Sequence, residues 1–140
     1  MRIAIVFLVG LLAACGSSKQ SKTSSMLYEV LTQQETGGGN IKFYEIITEA
    51  NEMAMLLQDE NLKGKVTRTD IENHTFLILN MGEKRTGGYK IAVQDVKEEA
   101  DKVVVKVKDI LPIPGSPVAQ MLSYPYTIVK IQSKKPVVVE

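Results

Sequence analysis

Two side chains in this 140-residue chain carry chemistry that no other residue duplicates: the thiol of Cys15 and the imidazole of His74, its only cysteine and only histidine. A thiolate is a nucleophile and metal ligand, and an imidazole moves protons near neutral pH. Neither has the companions such work needs. One His and one Cys do not make a zinc site of several His or Cys ligands. A Ser-His-Asp arrangement would have to use His74, set between Asn73 and Thr75, and no serine lies in a Gly-x-Ser-x-Gly elbow. Glu72, Glu83 and Asp95 are the carboxylates that a paired acid–base mechanism would draw on, but acidic residues this common pair by chance. Gly37-Gly38-Gly39 has neither a following helix nor a Gly-Lys-Ser/Thr ending, so it is no phosphate loop. The expectation is a chain that is not an enzyme, takes no cofactor or metal, and carries His74 as an exposed loop residue.

Cys15 is explained by what precedes it. Arg2 gives a basic start, Ile3 to Leu12 is almost wholly apolar, and Leu12-Ala13-Ala14 leads into the cysteine, the anatomy of a secretory signal. Cysteine directly after Ala-Ala resembles the lipobox of bacterial lipoproteins, whose signal peptidase cuts before a cysteine that carries a diacylglyceryl group. That resemblance implies residues 1–14 as signal peptide and Cys15 as the lipid attachment. The apolar run is too short to span a hydrocarbon core, which needs about 20 residues as helix. Anchoring therefore falls to acyl chains: one holds marginally, whereas two or three on one cysteine make a lasting anchor. Gly16 in the second mature position is not the aspartate of inner-membrane retention, which points to the outer membrane where the cell has one.

Loss of residues 1–14 removes Arg2 and leaves basic and acidic residues equal at 16 each. Near-zero net charge gives no electrostatic footprint for nucleic acid or for an anionic bilayer. With its one cysteine acylated the mature chain has no disulfide framework, so stability must come from an apolar core. That core has no Trp and few aromatics, five Tyr and three Phe in the full chain.

The elements that position any site follow from the pattern. Residues 15–25, the acylated cysteine and a Ser/Lys-rich stretch without apolar periodicity, read as a flexible tether. A single folded domain is expected over 26–140. Met26 to Leu31 and Ile41 to Ile47 suit strands, separated by a turn at Thr36-Gly37-Gly38-Gly39-Asn40. Thr48 offers an N-cap to a short helix whose Met53, Leu56 and Leu57 form one apolar stripe. Thr75 to Leu79 is the near-continuous apolar run of a strand buried on both faces. Tyr89, Ile91 and Val93 alternate with polar or small residues, as do Val103, Val105 and Val107, with polar Lys97 to Asp101 as a hairpin between them. Tyr126 to Ile131 forms another strand and Val137 to Val139 a short last one. The class predicted is α+β, mostly antiparallel β-sheet with one short helix.

One segment stands out, Gly82-Glu83-Lys84-Arg85-Thr86-Gly87-Gly88-Tyr89. On chemistry alone it is a hairpin loop, since adjacent glycines supply the positive φ that tight turns want. Taken with three later blocks it says more. Gly82-Glu83-Lys84, Thr86-Gly87-Gly88-Tyr89, Pro112-Ile113-Pro114-Gly115 and Tyr124-Pro125-Tyr126-Thr127-Ile128-Val129-Lys130 stand in one order at sensible spacing within Phe76 to Ile131. This stretch resembles the C-terminal domain of the PrcB family of protease-complex subunits. Arg85 stands where that family often has proline.

The resemblance implies a lipoprotein of the bacterial cell envelope that associates with and stabilises a partner protease or other envelope protein, without being a peptidase. Thr86, Gly87, Gly88, Tyr89, Tyr124 and Pro125 are the candidate protein-binding residues. Tyr89, Tyr124 and Tyr126 are amphipathic side chains of the type enriched at interfaces, with sheet packing as the other use for Tyr89 and Tyr126. An alternative is protease inhibition, because Thr86-Gly87-Gly88-Tyr89 is similar to the Thr-Thr-Gly-Tyr loop of chagasin-like inhibitors. Those inhibitors also carry an Arg-Pro-Trp element that this chain lacks.

Overall fold

The computed structural model describes residues 27–140. The signal peptide expected over 1–14, the lipid attachment expected at Cys15, the tether expected to 25 and Met26 lie outside the described residues. Among the described residues seven strands and a short helix build three layers. The strands are β1 (Tyr28–Gln34), β2 (Lys42–Ile47), β3 (Thr75–Met81), β4 (Lys90–Glu98), β5 (Val103–Ile110), β6 (Tyr126–Ile131) and β7 (Val137–Val139), with α1 at Ala50–Leu56. β1-β6-β3-β2 form an antiparallel four-stranded sheet, and β4-β5-β7 a second sheet in which only the β5–β7 pair is parallel. The chain is thus α+β and mostly antiparallel sheet, as its pattern predicts. Among the described residues no helix is long and apolar enough to cross a membrane.

The run from Thr75 reads as continuously apolar because β3 is covered on both sides. Leu77, Leu79 and Met81 pack with Ile91, Val96, Val103, Val105, Val129 and Ile131 between the two sheets. Phe76 and half-buried Ile78 face the other way, against Met53 and Leu56 of α1 and Leu62, Val66 and Ile71 of the turns that follow it. Two side chains tie the sheets together: Thr127 Oγ1 and Gln33 Nε2 both donate to the carbonyl of Ile91. Lys42 on β2 adds a 2.7 Å ion pair to Asp109 on β5.

Local chemistry moves several boundaries. Glu49, not Thr48, caps α1, since the Glu52 carboxylate folds back to accept from the N–H groups of both Thr48 and Glu49 at 3.1 Å. The Val93 alternation ends at a bulge between Val93 and Asp95, so Val96 rather than Asp95 is the next residue inward. The hairpin at Lys97 to Asp101 forms between β4 and β5. A hairpin at 82–89 does not, because β3 and β4 belong to different sheets and this segment is a crossover between layers. His74 is half-buried rather than exposed: Nδ1 lies 2.9 Å from the Asp70 carbonyl and Nε2 2.7 Å from the Gln132 side chain. It fastens the turn before β3 to the exit of β6.

Candidate binding site

The topology sends three connections to one end of the molecule: 35–41 after β1, 82–89 after β3, and 111–125 between β5 and β6. Backbone hydrogen bonds knit them together. Lys84 and Ser123 exchange a pair at 2.8 and 2.9 Å, Gly87 donates to Ala119 at 2.9 Å, and Glu83 donates to Asn40 at 3.0 Å. Tyr124 donates to Glu35 while Gly38 donates to Tyr124, each at 2.9 Å. Ser123, buried, donates its hydroxyl to the Thr86 carbonyl at 2.7 Å. All four blocks singled out in the sequence meet here or begin here.

The glycines of the motif are explained by this packing. Gly88 has φ +89°, and a Cβ there would meet Pro112 and Val118 at 3.1 Å. The Pro112–Gly115 block therefore lies directly on the Thr86–Tyr89 block. Gly115, at φ +80°, turns that second loop, with Ser116 bonding back to the Ile113 carbonyl through both its N–H and its hydroxyl.

The six candidate residues divide by exposure. Gly87 and Pro125 are buried, and Thr86, Gly88, Tyr89 and Tyr124 are half-buried. Tyr89 packs against the inter-sheet core with Lys84 Nζ 5.7 Å above its ring, and the Tyr124 hydroxyl donates to Glu83 at 3.0 Å. That bond raises the Tyr124 pKa above its ordinary value. Gly87 and Pro125 thus position the loops. What the loops present to solvent lies outside the six candidate residues: Leu111, Ile113, Met121 and Leu122, together with Ile41 on the 35–41 connection. Ile113 is 75 % exposed. The signal of this set in the sequence was apolar residues inside a Pro/Gly/Ser loop, where burial has no use for them.

The three carboxylates weighed for acid–base work are spread over different elements. Glu72 and Glu83 sit before and after the seven-residue β3, and Asp95 lies in the other sheet. Among the described residues no three His, Cys, Asp or Glu side chains converge as a metal site would require.

Tyr126 opens β6 on the other face of the four-stranded sheet and is buried in the core under α1. Its hydroxyl donates to Asp59 at 2.7 Å and accepts from Asn61 at 3.1 Å. Burial, and after it the bond to Asp59, push its pKa up to about 12 from 10.0. The neutral phenol is the form the fold favours. Its contribution is complete below the unfolded value of 10.0 and is lost as pH rises through about 12. Alkaline ultraviolet titration should show one tyrosine ionising well after the rest, and Tyr126→Phe should remove that step and flatten the loss of stability across this window. A Tyr126→Phe chain with an unchanged late step would reject the assignment.

Residues 75–132 match the family model described as PrcB C-terminal. The match runs from the first residue of β3 to just past β6 and takes in two of the three converging loops. No curated protein and no solved structure matches the chain.

Proposed function

With residues 75–132 as a PrcB C-terminal segment, we propose that the chain is a lipid-anchored, non-catalytic subunit that binds and stabilises a protease of the bacterial cell envelope. The family supports association with a protease complex. The observation that carries the reading is the pinned three-loop end, where internal hydrogen bonds hold the backbone and leave Leu111, Ile113, Met121 and Leu122 facing outward. Loops already ordered lose little conformational freedom on binding, so apolar contacts there yield affinity efficiently. Attachment through Cys15 would hold this end near envelope proteins without any charge-driven contact with lipid.

The test is affinity capture of the full-length chain from gently solubilised native membranes, with partners identified by mass spectrometry. Ile113→Asp changes a side chain that the fold does not use and should lower recovery of a stoichiometric protease by about tenfold or more. Thr86→Ala/Tyr89→Ala, checked for folding, should do the same by loosening the loops. A wild-type chain that captures no protease ends this reading, and full recovery with Ile113→Asp moves the contact elsewhere. The inhibitor alternative uses the same end, but Gly87 is buried against Ala119 rather than offered at a tip. It requires inhibition of a papain-type enzyme that Gly87 and Tyr89 substitutions abolish.

A further inference from the structure

Beside the 35–41 connection, whose Gly37, Gly38 and Gly39 form part of its wall, a cavity of about 220 Å³ opens between α1 and the outer face of the four-stranded sheet. It is smaller than the roughly 300–1,000 Å³ of ordinary small-molecule pockets, which suits one long side chain. Its walls are apolar, built by Ile47, Leu56, Ile78 and Ile128 with Met55 at the margin. Three carboxylates, Glu45, Glu52 and Asp59, line it without a cation among the lining residues. None of the three is in an ion pair among the described residues. Glu52 and Asp59 already accept hydrogen bonds, Glu52 from the start of α1 and Asp59 from Asn61 and Tyr126, so both are held in place. Glu45 stands exposed on β2, the edge strand of its sheet.

A second, independent feature points inward. Asn80 is 4 % exposed and belongs to the cavity lining. Its Oδ1 accepts from Gly39 N–H at 2.8 Å, which fixes the orientation of the amide. Its Nδ2 has no hydrogen-bond partner among the described residues, and no buried side-chain polar atom in them is left sealed and unpaired. The donor is therefore not sealed off, at a residue that lines the cavity. A ligand that satisfies the site brings an aliphatic stem for the walls, a cation for the carboxylates and a carbonyl oxygen for Asn80. An arginine or lysine within a polypeptide carries all three.

We propose that this cavity binds an Arg or Lys side chain of a partner polypeptide, stem against Ile78 and Ile128 and cation toward Glu45, Glu52 and Asp59. Charge complementarity selects a basic segment, because an apolar or acidic one would leave three carboxylates facing it uncompensated. The cavity shares the 35–41 connection with the loop end but none of Leu111, Ile113, Met121 and Leu122 lines it, so it adds a second point of engagement.

The probe is acetyl-Ala-Arg-Ala-amide, titrated calorimetrically into the full chain in mild detergent beside the norleucine peptide and agmatine. The arginine peptide should bind about tenfold or more tighter than the norleucine peptide and weaken with added salt. Met55→Lys, at a side chain 69 % exposed, should abolish binding, and Glu45→Gln should weaken it about fivefold. Ile113→Asp should bind the peptide as the parent chain does, which separates this site from the loop end. Equal affinity for the arginine and norleucine peptides, binding unmoved by Met55→Lys, or no binding at millimolar peptide would overturn the proposal. Agmatine binding as tightly as the peptide would also overturn it, marking a site for free amines.

Discussion

Phe76→Ala should lower the unfolding free energy by about 3–5 kcal/mol, the largest single loss expected in this chain. Phe76 is fully buried on the central strand and is the largest of the completely buried side chains. It packs under α1 and the turns after it, in one cluster with Met53, Leu62 and Ile71. Domains of this size have about 5–15 kcal/mol in all, so the substitution consumes a large share of it. Urea unfolding followed by tryptophan is not open to a chain without Trp, so far-ultraviolet circular dichroism is the measurement. Ile78→Ala, two residues on and half-buried, should cost clearly less. A Phe76→Ala loss below about 1 kcal/mol would mean that this layer does not pack as described.

Gly38→Ala should cost about 1–3 kcal/mol by overpacking and should cut protease capture with it. A Cβ at Gly38 would lie 2.7 Å from the Tyr124 carbonyl and 2.9 Å from Asn80 Oδ1. That carbonyl is the acceptor for Gly38 N–H, so the new methyl forces apart the contact that pins 35–41 to 111–125. Gly64→Ala is the control. Its φ of +75° strains any side chain, yet a Cβ there meets nothing within 4 Å, so stability falls slightly while capture persists. Loss of capture in both variants would tie binding to global stability, and loss in neither would remove the loop junction from the interaction.

Much of the fold was legible along the chain. The α1 stripe of Met53 and Leu56, the doubly buried β3 and the β4–β5 hairpin each carry a periodicity or turn signal that local chemistry produces. The resemblance of 76–131 to the PrcB family was legible too, and the family match covers 75–132. Less legible was which residues in those blocks would face a partner. Gly87, Pro125 and Tyr89 look like contacts in a motif, but they are spent on hydrogen bonds and packing that join distant loops. Leu111 lies outside the four blocks and Ile113 inside one, neither among the candidate contacts, and both stand exposed.

By itself the sequence determined what is local: strand and helix periods, the cap region of α1, the apolar approach to Cys15, the scarcity of catalytic groups and the near balance of charge. Those depend on neighbours a few residues away, and the chain states them directly. Tertiary structure alone decided that β3 and β4 part into different sheets, that Tyr126 is held by Asp59 and Asn61, and that Asn80 lines a cavity together with three carboxylates. Those are contacts across roughly 20 to 70 residues, made only when sheets pack and loops converge, and no periodicity encodes them.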